Sequence, residues 1–163
     1  MSFGKGVVLK NIYIRIDSDA VLTLSAGSQV SGQLRCNAGC KIEIGQRTLI
    51  RGKSRIHAHE AVNVIIGDDC ILHDFRCRTS DSHKIYMAND VTVTGRLNRG
   101  RTVMIGDRVY CESGVHVYKG VSIGSDSYIQ ARSIIVKSFA EEGGYIAGSP
   151  AQLLATQTVW FKA

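Results

Sequence analysis

A single proline serves all 163 residues, beside 17 glycines. No apolar run approaches the roughly 18 residues of a membrane-spanning helix. The start, Met1-Ser-Phe-Gly-Lys5, lacks the apolar core of a secretion signal. These absences argue against stable membrane insertion and lead us to expect a cytoplasmic protein. No Asn-Gly dipeptide lies between the Val/Ile-rich segments, so the commonest hairpin signal of a β-sandwich is missing. No low-complexity tract or linker divides the chain, which predicts one domain over 1–163 with a real core. The five cysteines, Cys36, Cys40, Cys70, Cys77 and Cys111, are odd in number and irregularly spaced. Reduced thiols, not a disulfide framework, are expected.

Acidic residues are scarcer than basic ones, 14 against 20, for a net charge of +6. That balance suits an anionic partner: a phosphate-bearing cofactor, an acidic sugar polymer, nucleic acid or a membrane surface. The basic residues are spread without aromatic interleaving, so nucleic acid is discounted.

What the chain does have is a period of six. From Ile105 to Phe139 the first place of each hexad is Ile105, Cys111, Val117, Ile123, Ile129 and Ile135. The fifth place is small or apolar: Val109, Val115, Val121, Ser127, Ser133 and Phe139. Six fits neither a helix at 3.6 nor a long strand at 2. It fits a chain that turns a corner every six residues, with three short faces to a coil and an aliphatic column inside. The fold class expected is therefore all-β: a parallel β-helix of hexapeptide repeats, stacking coils of about 18 residues.

Upstream the same register is visible at Leu24, Val30, Cys36 and Ile42, then after a shift at Ile44, Ile50, Ile56 and Val62, then at Ile66 and Leu72. The next inward place falls on Arg78, which breaks the rule, and the pattern is lost over 79–101 before returning at Val103. Residues 1–23 alternate more loosely and are expected to be an entry or cap. The repeat coils are placed at 24–139 and a C-terminal extension at 140–163, folding back as a short strand or helix. A polar break of this length in a solenoid is expected to be a loop that leaves one corner and builds a site. It holds Asp81, His83, Arg96, Arg99 and Arg101.

Several of these segments, in this order, resemble the hexapeptide-repeat acyltransferases. They are Ile66-Gly-Asp-Asp-Cys70, Asp81-Ser-His83, Ile105-Gly-Asp-Arg-Val-Tyr110, Val117-Tyr-Lys-Gly-Val-Ser-Ile-Gly124 and Ala147-Gly-Ser-Pro-Ala151. The likeness is to the branch with galactoside, maltose and nodulation acetyltransferases and polysaccharide O-acetyltransferases, over about residues 44–155. It implies a left-handed helix, a homotrimer, and acetyl-CoA in a groove between neighbouring subunits, with no metal. It implies His83 as the general base that takes a proton from a sugar hydroxyl, a task suited to an imidazole, with Asp81 orienting the ring.

By the same resemblance, Tyr110 lies beside the pantetheine arm and Ser113 and Gly114 bring a backbone amide to the thioester. Ala131 and Arg132 match a pair one coil on, Lys137 lies near the adenosine phosphates, and Gly148 and Pro150 form the adenine end. The chain departs from the family pattern at Cys111-Glu112 and at Gln130 and Arg132, where glycines are common. From the residues alone, Arg96, Arg99 and Arg101 are candidates to bind an acidic glycan acceptor, since arginine pairs with carboxylates through two donors. Two other classes remain open: a non-catalytic β-helix scaffold, and a zinc enzyme of the γ-carbonic-anhydrase kind.

Overall fold

The computed structural model describes residues 1–81, 83–92 and 94–161. The chain winds as a parallel β-helix of triangular section. One face stacks β1 (Ser2–Phe3), β3 (Val21–Leu24), β5 (Lys41–Ile44), β8 (Val64–Ile66), β11 (Val103–Ile105) and β14 (Ser122–Ile123). The second stacks β6 (Leu49–Arg51), β9 (Ile71–His73), β12 (Tyr110–Cys111), β15 (Tyr128–Ile129) and β17 (Tyr145–Gly148). The third stacks β7 (Arg55–Ala58), β10 (Arg76–Arg78), β13 (His116–Val117) and β16 (Ile134–Ile135). In the upper coils β2 (Val8–Ile16) and β4 (Gln29–Cys36) bend from the second face onto the third, so β4 pairs with both β6 and β7.

The hexad rule becomes three inward columns. Leu24, Ile44, Ile66, Ile105 and Ile123 stack on the first face. Val30, Ile50, Leu72, Cys111, Ile129 and Ile146 stack on the second, and Leu34, Ile56, Cys77, Val117 and Ile135 on the third. All are buried. Each aliphatic member removed from water contributes on the order of 1.5–3 kcal/mol.

The coils are unequal, and this explains where the six-residue register slips. Successive residues of the first column lie 20, 22, 39 and 18 apart, from Leu24 to Ile123. The extra length sits at corners. One correction follows: Val62 is not an inward place, and Val64 is the buried residue of that strand. On the third face Phe75 is added at a corner and fully buried, its N–H donating to Ser54 Oγ at 3.0 Å. That insertion puts Cys77 inward and turns Arg78 outward.

Between the first and second faces, each turn places a residue in the left-handed region. Gly27, Arg47, Asp69, Arg108 and Asp126 have φ of 72°, 54°, 56°, 52° and 61°. The charged ones pair along the corner. Arg47 donates Nε and Nη2 to the two Asp69 carboxylate oxygens, both at 2.6 Å, and Arg108 does the same to Asp126 at 2.6 and 2.8 Å.

Residues 1–23 are already wound: β1 pairs with β3, β2 pairs with β4, and Leu22 and Leu24 are core residues. At the other end β18 (Ala151–Ala155) runs antiparallel to β17, with Leu153 packed against the core. The extension then crosses the second face, where Trp160 Nε1 donates to the Arg108 carbonyl at 2.7 Å.

Candidate active site

The loop of 79–101 leaves the corner between the third and first faces. Backbone bonds hold its two ends together, since Arg101 N donates to Thr79 O at 2.9 Å and Gly120 N to Arg101 O at 3.3 Å. The polar residues inside it are cross-linked. Asn98, only 8% exposed, is the hub. Its amide nitrogen donates to the His83 carbonyl at 2.6 Å and to Asp81 Oδ2 at 3.1 Å, while its oxygen accepts from Ile85 N at 2.8 Å. Lys119, on the coil below, donates Nζ to Asp81 Oδ2 at 2.5 Å and to the Asn98 carbonyl at 3.1 Å. The Lys119 ammonium and then the Asn98 amide hold the Asp81 carboxyl below the usual carboxylate range.

His83 is exposed at the outer edge of this network. Asp81 is two residues away, and among the described residues its carboxylate bonds to Lys119 and Asn98, so it supports the loop backbone that carries His83. Arg96 also has an internal partner. Its Nη2 donates to Glu60 Oε1 at 2.5 Å and its side chain is only 12% exposed. Glu60 Oε2 accepts from Gly100 N at 2.9 Å, so one carboxylate ties the loop to the coil above. Arg99 and Arg101 are exposed.

The other candidates gather on a different corner, the one between the second and third faces. Ser113 and Gly114 lie directly over Ala131 and Arg132, with Arg132 N donating to Ser113 O at 3.0 Å. Gly114 has φ of 81°, a conformation that glycine adopts without strain. Ser113 Oγ donates to Asp74 Oδ2 at 2.6 Å, and Ala131 N donates to Glu112 Oε2 at 2.7 Å. Ser113, Ala131 and Arg132 are exposed, so the corner presents small side chains and backbone beside the Arg132 guanidinium. Lys137 donates to Gln152 Oε1 at 3.0 Å, and Gly148 N donates to Ser133 Oγ at 3.2 Å. These bonds place the turn through Gly148 and the cis Ser149–Pro150 bond at the end of the prism, beside Lys137.

Tyr110 opens an aromatic ladder on the second face. Its ring stacks on Tyr128 at 5.5 Å, Tyr128 meets Tyr145 edge-on at 5.6 Å, and Trp160 lies 5.2 Å from Tyr110. Burial and the neighbouring Glu112 push the Tyr128 phenol well up.

Glu60, Asn98 and Lys119 were not singled out by sequence. Lys119 occupies a corner place in the hexads, where any polar residue fits, and Glu60 lies 36 residues from the arginine it holds. Among the described residues no three His, Cys, Asp or Glu side chains converge in a metal-binding group.

The triangular coil, its single polar excursion and the small-residue corner define a class. The fold is that of the hexapeptide-repeat β-helix, and the chain is similar to acetyltransferases built on it. It is 31% identical over 110 residues to a polysialic acid O-acetyltransferase of Neisseria meningitidis, a match covering 66% of this chain and 49% of that one, so the chain spans about half the length of that relative. The crystal structure of the polySia-specific acetyltransferase NeuO superposes with a TM-score of 0.81 at 25% identity, covering 99% of this chain and 85% of that one. The polysialic acid O-acetyltransferase OatWY gives the same TM-score at 24% identity, over 100% of this chain and 92% of that one. No family model matches the sequence.

Proposed function

We propose that this protein is an acetyl-CoA-dependent O-acetyltransferase whose acceptor is a hydroxyl of an acidic sugar polymer. The observation that carries the reading is the exposed His83, set on the long break in the repeat and held there by the buried Asn98. The names of its relatives point to polysialic acid as the first acceptor to try.

Acetyl-CoA supplies the activated acetyl group. Ser113, Gly114 and Ala131 would hold its slender pantetheine arm, because these three residues leave the backbone of the corner open. Arg132 and Lys137 would meet its phosphates, and Gly148 and Pro150 its adenine end. His83 takes the proton from the attacking sugar hydroxyl at an unprotonated ring nitrogen. Asp81, with Lys119 and Asn98, keeps the loop in place. Arg99 and Arg101 face the acceptor, whereas Arg96 is a brace for the loop.

The His83 loop and the Ser113–Ala131 corner lie at opposite edges of the third face of one chain. A site that uses both is therefore completed by a neighbouring chain, which supports a homotrimer. We place the protein in the cytoplasm, where acetyl-CoA is made available.

The test is thiol release from acetyl-CoA with polysialic acid and with neutral sugars as acceptors. His83→Ala should lower kcat by at least a hundredfold and leave acetyl-CoA binding intact. Undiminished turnover in that variant would remove His83 from the reaction. A wild-type protein that neither binds acetyl-CoA nor turns over would favour the scaffold.

A further inference from the structure

The third face carries a ladder of cations that the proposed chemistry does not use. Its outward places pair strand to strand in strict register. Gln33, Arg55, Arg76 and His116 form one column. Arg15, Arg35, His57 and Arg78 form the other. Rungs of a parallel sheet are about 4.8 Å apart. Like charges directly opposite each other across strands are destabilising.

Elsewhere the chain removes that cost. Arg47 and Arg108 each face an aspartate on the next coil. On the third face no carboxylate appears from β4 to β13, and among the described residues Arg35, Arg55, Arg76 and Arg78 form no ion pair. Burial first and then the flanking arginines lower the pKa of both histidines there. The uncompensated charge lines a depression of about 290 Å³ that holds Arg55, Arg76, Arg78 and His116. Through Arg55 it continues into a larger trough of about 820 Å³ with Lys10, Arg51 and Lys53 on its walls. The strand β10 that carries Arg76 and Arg78 runs directly into the His83 loop.

We infer that this ladder is a docking track for an extended acidic glycan, which it feeds along the helix axis to the His83 loop. An acidic polymer with one carboxylate per sugar offers repeated charge to a row of repeated cations, and several weak contacts along one chain add through effective concentration. The ladder is a poor nucleic-acid platform, because its flanking rings Tyr13 and Tyr118 are covered by Arg35 and Arg78 at 5.7 and 4.6 Å instead of being open for base stacking. The inference rests on the acceptor class proposed above and names where on the chain that acceptor is held.

The experiment compares wild type, the double variant Arg55→Gln/Arg76→Gln, and the control Lys5→Gln/Arg47→Gln, which removes equal charge from other faces. Binding and turnover are measured with long polysialic acid, and binding with single-stranded DNA of similar charge. The ladder variant should bind the polymer at least tenfold more weakly, with a weaker dependence on salt. Its KM for the polymer should rise accordingly while kcat changes less than twofold, and the control should resemble wild type. Its Tm should not fall, since opposed like charges are removed, so loss of binding cannot be put down to unfolding.

Wild-type turnover of the polymer with an unchanged KM in the ladder variant would overturn the track and leave the proposed function standing. A rise in the acetyl-CoA KM alone, or a changed oligomer on gel filtration, would assign the ladder to the cofactor or to a subunit contact and also overturn it. Tighter binding of DNA than of glycan would do the same. A wild type that acetylates only neutral sugars would remove the acidic acceptor itself.

Discussion

His57 shows how the surroundings of one residue translate into a property of the whole. Its pKa is pushed down to about 4 by burial, with Arg35, His59 and Arg55 adding repulsion. The Gln33 side-chain amide lies 3.1 Å from Nε2, with its nitrogen turned to the ring and its oxygen to Arg35. A neutral imidazole accepts that bond, whereas an imidazolium does not. In the unfolded chain the ring titrates near 6.5. Between about pH 6.5 and 4 the unfolded state therefore binds the extra proton, and stability falls as the pH is lowered through that window. The contribution is on the order of 1–2 kcal/mol, less than the full shift implies because the ring is partly solvated. Urea midpoints of wild type and His57→Gln should converge towards pH 4 and separate towards pH 7. Parallel curves would show that His57 is not the titrating group. None of this was legible in sequence, because the partners Gln33 and Arg35 sit a full coil before it.

At the scale of elements, the strands were legible and the corners were not. A face needs an apolar residue at a fixed place, so Ile105 to Ile135 announced six rungs in sequence. A corner needs only a compact turn, which Gly27, Arg47 or Asp126 all satisfy, so its length drifts and the register with it. That is why Val62 stood in the predicted column and Val64 stands in the real one. The loop was located by the loss of pattern, yet its internal bonds were hidden. Asn98 is the case in point: its three side-chain bonds hold both limbs of the loop. Asn98→Ala takes away the partners of the His83 carbonyl and the Ile85 N–H, a cost of about 1–3 kcal/mol in loop stability. We expect kcat to fall ten- to a hundredfold with little change in the acetyl-CoA KM. A matching rise in amide exchange over 81–98 would tie the loss to loosening of the loop. Unchanged exchange with lowered kcat would mean that Asn98 touches the reaction directly.

For the whole molecule, the separation of the two candidate half-sites makes assembly a functional question. His83→Ala disables the loop of a chain, and Ala131→Trp blocks its small-residue corner. If each site joins the loop of one chain to the corner of the next, co-assembled mixtures of the two inactive variants recover activity. Random mixing in a cyclic oligomer should restore about a quarter of the wild-type rate. No recovery from a mixed oligomer would place each site within one chain. The homotrimer itself is checked by light scattering. Sequence supplied only the resemblance here, because the outward residues of a solenoid carry no periodic constraint from the core.

The five thiols lend the protein a practical virtue. All are free and buried along the core, and burial raises Cys36 and Cys70 to about 11 and Cys77 and Cys111 further still. A thiolate is the species that reacts with disulfide chromogens, so we expect the folded protein, whose thiols are all buried, to react with them slowly. Coenzyme A released in the proposed reaction would then be read continuously by the same reagent that would otherwise titrate the protein. A cysteine introduced at an exposed loop position such as Lys84 would be the one site open to a fluorophore, and would report acceptor binding from within the loop.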